Sequence, residues 1–322
     1  MYDTPPTATQ AAPNATLKPA APSRLPVQML LAIMAFSMVA LVLRWVVMWF
    51  TLPHEHFTAY LNNLWQVAAY LPGGLAVDGC CALLMTRWYL QRHNLVDVTR
   101  PKRLIMMFLG LYFTAAVLVA VLYNMLWWLL AGWAENQADA PDFTVLMQPL
   151  NLLSFVLTTL LPLWLSLHLM RIKGLVQPGQ GVVNRGEAAL ACALLFSAIY
   201  VKLLTLVPMA NSSAYNGDWL IPVGSAVGLL YGLVALLAAH KALPPQLSYL
   251  AIGRLLVSML LCVSIWLSVA LALCFVLFTA LLSGSQMLVL SLLLIFWLVL
   301  LALLWFMTQL SLRWVYGTSS LR

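Results

Sequence analysis

After residue 25 the chain alternates long apolar runs with short polar connections. The runs cover residues 26 to 52, 61 to 86, 104 to 132, 146 to 170, 186 to 208, 219 to 239, 250 to 282 and 287 to 312. A helix needs about 20 apolar residues to cross the hydrocarbon of a bilayer, so the pattern predicts an all-α, polytopic membrane fold with eight transmembrane helices. The domain plan has three parts: a tail over 1–25, a helical domain over 26–314 and a short C-terminus over 315–322. Residues 1–25 are rich in Pro, Ala and Thr and nearly devoid of bulky apolar groups, the composition of a disordered segment. The first run is too long for a signal-peptide core and lacks a small-residue cleavage pattern, so it reads as a retained first helix.

Composition agrees with the pattern. Hydrophobic residues make up 63% of the 322 positions and charged ones 8%, and the mean hydropathy is +0.94; a water-facing fold has no way to hide that much apolar area. The net charge of +7 would suit nucleic acid, but its distribution argues otherwise. Of 16 Lys and Arg, 14 lie in the tail, in Arg87–Arg103, in Arg171–Arg185, at Lys241 and Arg254, and near the C-terminus, all on one side of the predicted spans. The opposite loops carry Glu55, Glu135, Asp139, Asp142 and Asp218 without Lys or Arg. By the positive-inside rule both termini are cytoplasmic, and the charge marks topology rather than a nucleic-acid partner. Trp45, Trp49, Trp65, Trp127, Trp128, Trp133 and Trp219 fall near outer helix ends, and Trp88 and Trp314 near inner ones, as interfacial belts do. The compartment expected is a bacterial inner membrane, with membrane lipids as the first partners.

Eight helices with both ends on one side permit a parallel 4+4 repeat. "RLIMMFLGLYF" opens the third run and "RLLVSMLLCVS" the seventh, Arg171 and Arg313 close the fourth and eighth, and Arg44 and Lys202 sit at similar depths in the first and fifth. Transporters often hold substrate at such a repeat interface.

Charges in hydrocarbon are costly and usually face a bundle interior or a wet cavity. At about 1.5 Å rise per residue, Arg44 lies about 27 Å and Lys202 about 24 Å above the inner ends of their helices. Asp78, within "YLPGGLAVDGCCALLM", lies about 12 Å up a descending helix that ends near residue 86, and Arg254 and His168 lie within about 9 Å of their inner ends. Two layers follow: an outer one with Arg44, Lys202 and the loop acid Glu55, and an inner one with Asp78, His168 and Arg254, Glu187 beside them. Side chains lean toward a helix N-terminus, which on the ascending first and fifth helices means toward the bilayer centre. Arg44 and Lys202 therefore suit an anionic ligand, Arg44 with a bidentate fork and Lys202 with a point charge. Snorkelling of their stems, or pairing with loop acids, is the competing account.

Other motifs carry less. "PHEHF" places His54 and His56 at the outer mouth, but no third ligand has a defined spacing, so neither metal nor cofactor is expected. The five cysteines lie in apolar runs without C-x-x-C and read as buried thiols. Gly224, Gly228 and Gly232 recur every fourth residue and permit close helix approach, within the chain, to a protein partner or in a homo-oligomer. No nucleotide loop, dinucleotide fingerprint, H-E-x-x-H or nucleophile elbow is present, which leans against an enzyme. The start of the chain, Arg44 followed by a loop and "GLAVDG", resembles the membrane domain of lipoteichoic-acid-synthase-like phosphoglycerol and phosphoethanolamine transferases, whose second helix carries G-L-R-F-D-L. Gly74, Leu75 and Asp78 match, while Ala76 and Val77 depart from the motif and no soluble catalytic domain follows. The resemblance implies phosphate-bearing lipids at the outer leaflet. The reading that follows is a membrane protein that binds and transports or flips an anionic, phosphate-bearing, lipid-linked substrate. Its competitor is a non-catalytic membrane subunit that docks a separately encoded envelope enzyme or assembly complex.

Overall fold

The structure, a computed structural model, describes residues 22–51, 64–135, 143–179, 181–206, 220–282 and 286–317. Outside these residues lie the N-terminal tail and the outer loops with His54, Glu55, His56, Asp139, Asp142 and Asp218. The helices are α1 Leu25–Thr51, α2 Leu64–Arg92, α3 Pro101–Glu135, α4 Phe143–Phe155, α5 Leu161–Ile172, α6 Arg185–Leu206, α7 Leu220–Ala242, α8 Ile252–Leu282 and α9 Gln286–Tyr316. A π-helical turn, Val156–Leu160, joins α4 to α5 in one rod.

Among the described residues, six segments are long and apolar enough to cross a membrane: Leu25–Thr51, Pro101–Leu129, Pro149–Ile172, Arg185–Leu203, Ile252–Leu282 and Met287–Tyr316. The chain is thus a mostly helical, multi-pass membrane protein. The other two predicted spans, α2 and α7, are not among the six found over the described residues. α2 carries Asp78 at its centre and Arg87 and Arg92 toward its C-terminus, and α7 supplies a shorter apolar stretch, Val227–Ala242.

Packing explains why α2 is the least apolar rod. It contacts α1, α5, the π turn, α6 and α7, so protein rather than lipid surrounds much of it. α6 is similarly interior, more than half of its apolar stretch being buried, whereas that of α9 is almost wholly unburied. The peripheral helices present Phe275, Phe278, Leu282, Met287 and Leu294 outward, as a helix facing hydrocarbon does. α8 and α9 pack together and are tied by Ser258 Oγ to Ser311 Oγ at 2.7 Å and by the Trp266 indole donating to the Leu300 carbonyl at 3.0 Å. In a bilayer such hydrogen bonds between helices add to van der Waals packing.

A π turn lies just before Pro162. Proline at the start of α5 has no N–H to donate, and its ring would clash with the carbonyl four residues back in a regular helix. The widened turn relieves the clash. Thr158 Oγ1 donates to the Ser154 carbonyl at 2.9 Å and compensates one carbonyl of this stretch.

At the basic end the connectors form two ribbons. β1 Leu95–Val98 pairs antiparallel with β2 Val176–Pro178, and β3 Val183–Asn184 with β4 Gln246–Leu247. The Thr99 amide donates to Leu175 and the Arg185 amide to Pro245, both at 3.1 Å. Asn94, at φ 51°, turns the chain out of α2, and Gly174, at φ 65°, ends α5 with the Leu175 amide on the Met170 carbonyl at 3.1 Å. Short strands with open edges need water, which places this clasp outside the hydrocarbon. The α5–α6 connector, holding both β2 and β3, joins the α2–α3 connector to the α7–α8 connector.

Candidate functional site

Asp78 sits 14 residues from each end of the 29-residue α2, about 21 Å from either. The sequence placed it about 12 Å from the inner end because the apolar run stops near 86; the helix continues through the polar residues Arg87, Gln91 and Arg92. That extension moves Asp78 out of the inner layer. Its Oδ1 accepts a hydrogen bond from Thr159 Oγ1 at 3.4 Å, and the Lys202 ammonium of α6 is close enough to act electrostatically on Asp78 and on the neighbouring Cys81. Tyr112 of α3 also lies within the field of Asp78, with the Ser37 side chain of α1 beside it. Asp78, Thr159, Lys202, Tyr112 and Ser37 thus gather from five rods at one mid-depth level.

Local chemistry accounts for the meeting. The π turn presents Thr159, itself 2% exposed, toward Asp78 while Thr158 lines a separate groove. Lys202 lies 17 residues above Arg185 on the ascending α6, about 26 Å up. The N-terminal lean of helical side chains carries its ammonium down toward Asp78.

Beside this layer, α3 and α4 leave a groove of about 460 Å³ whose polar lining is Tyr112, Tyr123, Asn124, Asn151, Ser154 and Thr158. The Tyr123 hydroxyl donates to Asn151 Oδ1 at 3.2 Å. The groove is neutral, rich in hydroxyls and amides, and reaches the charged layer through Tyr112 and through the adjacent pair Thr158 and Thr159.

The other predicted residues separate. His168 stacks on Trp164 with ring centroids 4.9 Å apart, near His93, whose Nε2 lies 3.3 Å from Arg171 Nη1. Arg254 is exposed at the start of α8. Asp78, His168 and Arg254 therefore form no common layer. Glu187 pairs instead with Arg87, Oε1 to Nε at 3.7 Å, with side chains 3% and 1% exposed. Arg44 lies on α1, 19 residues above Leu25; its side chain, like the whole of Glu55, is outside the described residues. The glycine stripe meets the chain's own α6: a Cβ on Gly228 would come within 2.9 Å of the Tyr200 ring, and one on Gly232 would collide with Ser197 Oγ. These two positions are filled by an internal helix contact rather than by an external partner, because α6 and α7 are sequential and pack along their length. Gly224 lies on the same helix, in a part whose surroundings are outside the described residues.

Thr159, Tyr112 and Ser37 were missed in the sequence because hydroxyls are common in apolar helices. The nearby Pro162 was the one available signal. The end of the apolar run near residue 86 assigns Arg87 to a connection, whereas it lies within α2. Among the described residues no cluster of three metal-ligating side chains occurs, and all five cysteines are free thiols. No protein-family model, no characterised protein and no solved structure matches the chain.

Proposed function

We propose that this protein binds an anionic, phosphate-bearing amphiphile and moves its headgroup across a bacterial inner membrane. The observation that carries the reading is the Asp78–Thr159–Lys202 layer at mid-depth on the central helix, opening beside a polar groove between α3 and α4. Hydroxyls and amides in the groove replace the water a headgroup leaves behind, and the apolar flanks of α3 keep its tails in lipid. All eight rods cross the bilayer in this reading, with the basic clasp in the cytoplasm.

Coupling follows from competition for Lys202. While Asp78 is charged, it engages the ammonium; once it takes a proton, the ammonium is released to an anion entering past Tyr112 and Thr158. Substrate and proton then share one switch, and Arg44 guards the outer approach. Charged residues in membranes typically mark such routes.

The helix contacts also fit a 4+4 repeat. α1 packs on α2 as α6 on α7, α3 on α5 as α8 on α9, α2 on α5 as α7 on α9, and α1 on α3 as α6 on α8, with α2 and α7 meeting across the centre. The two ribbons continue this pairing at the clasp, and the Asp78 layer lies where the halves touch.

The test is lipid movement in proteoliposomes containing fluorescent phosphatidylglycerol or phosphatidylcholine. The wild type is expected to scramble phosphatidylglycerol preferentially. Lys202→Gln should slow it by about tenfold or more, the scale of one lost charge-assisted contact, and Asp78→Asn should abolish its dependence on pH. Folded variants that retain wild-type rates and pH dependence would refute the transport reading and favour the scaffold.

A further inference from the structure

The mid-depth layer leaves the other polar core of the molecule without a role. At the basic end, α2 and α6 bury Arg87 against Glu187, and Arg87 Nη2 donates to the Gly181 carbonyl at 3.3 Å. At 3.7 Å the Nε–Oε1 contact is longer than a charge-assisted hydrogen bond of about 2.8 Å, and both atoms lack a hydrogen-bond partner among the described residues. The same holds for Thr86 Oγ1, Tyr89 OH and Arg185 Nε nearby. Native cores hold few such atoms, so a group of five at one level calls for an explanation.

Arg87 also lines a cavity of about 250 Å³ beneath the clasp, with Gln91, Asn94, Gly181, Ser248 and Tyr249. With its amide turned over, Gln91 pairs with the Leu250 backbone at 3.1 and 2.6 Å, and Asn94, Ser248 and Tyr249 are then the neutral donors lining the cavity with Arg87. The volume is that of about eight water molecules. Among the described residues at this end the carboxylates are Asp97 and Glu187, set against eleven Lys and Arg besides Arg87. Asp97 accepts from the Val98 amide at 2.7 Å. Such an imbalance concentrates anions at the mouth of the cavity.

We propose that this cavity is an anion-binding site in which the Arg87 guanidinium takes a phosphate group and Glu187 is the internal ligand that the anion displaces. A guanidinium loosely held by its own carboxylate is a poised receptor, because the incoming anion can make the short bidentate contact that Glu187 does not. Asn94 and Ser248 supply further donors, and the Gly181 carbonyl holds the guanidinium in place. The site is independent of the Asp78 layer. It has a parallel with that layer: each pairs a cation and a carboxylate across α2 and α6, with the signs exchanged.

The experiment is thermal unfolding of the full chain in detergent, titrated with inorganic phosphate against chloride at matched ionic strength. A parallel arm compares nanodiscs of phosphatidylglycerol and phosphatidylcholine. Phosphate should raise the midpoint saturably while chloride does not. Arg87→Lys, which keeps the charge but loses the fork, should weaken apparent phosphate affinity about tenfold, equivalent to one lost strong contact. Glu187→Gln should lower the starting midpoint yet tighten phosphate binding, because the competing carboxylate is gone; a purely structural ion pair would show the loss without the gain. If Arg87→Lys does not fold, Glu187→Gln and Ser248→Ala, which should weaken binding, decide the matter. Arg87-dependent stabilisation by phosphatidylglycerol alone would make the phosphate a lipid headgroup, and stabilisation by free phosphate would make it a soluble ligand. Equal effects of phosphate and chloride, or unchanged affinity in Glu187→Gln, overturn the proposal. Lys202→Gln should leave the phosphate response intact, which separates failure of this site from failure of the transport reading.

Discussion

Residue by residue, the molecule places its charges at two depths on α2 and treats them differently. Asp78 has a hydroxyl donor and a nearby ammonium. Arg87 and Glu187 are almost wholly buried, and removing one partner of such a pair strands the other charge at a cost of about 3–5 kcal/mol. Outside the membrane, His93 offers a titration with a definite sign. Desolvation, then the neighbouring charges of Arg171, Arg92 and His168, hold its imidazolium below the ordinary value of 6.5. The unfolded chain therefore binds that proton more tightly than the folded one. Stability from this group is complete above the ordinary value and falls as pH drops from there toward the lower folded value. His93→Gln should flatten unfolding midpoints between about pH 5 and 7 relative to wild type; an unchanged slope would assign that pH dependence to other groups.

Elements owe their positions to small residues and to one interruption. Gly228 and Gly232 let α7 approach α6 until Tyr200 and Ser197 fill the space a side chain would need. Gly232→Leu should cost about 1–3 kcal/mol by overpacking, read as a lowered midpoint of thermal unfolding in detergent. Gly110, which has open space around it, provides the control: Gly110→Ala should leave the midpoint unchanged or raise it slightly, since alanine is the better helix former. The π turn in the α4–α5 rod is the other determinant. Pro162 was legible in the sequence as an interruption, but not that the turn would aim Thr159 at Asp78, because that depends on which helix lies opposite.

For the whole molecule, the clasp marks the basic end, while the groove between α3 and α4 lies beside the mid-depth layer. Positive-inside reasoning predicts a cytoplasmic clasp, and the exposed Thr99 and Ser248 test it. In intact cells, Thr99→Cys and Ser248→Cys, in a background lacking reactive native thiols, should resist an impermeant maleimide and react only after permeabilisation. Labelling in intact cells would reverse the orientation.

The sequence by itself determined the helical class, the membrane as solvent and the segregation of basic from acidic connections, since each follows from local composition and from a helix period that needs no partner. It also marked Asp78 and Lys202 as charges that require an explanation. Only the tertiary structure decided which residues meet. The sequence ended α2 where apolarity stopped, whereas the helix, sheltered by α1, α6 and α7, tolerates polar residues for another turn and more. That shift of a few residues brought Asp78 to mid-depth beside Thr159 and Lys202 and buried Arg87 against Glu187. Depth along one helix can be counted from sequence, but the facing of neighbouring helices is set by packing between segments far apart in the chain.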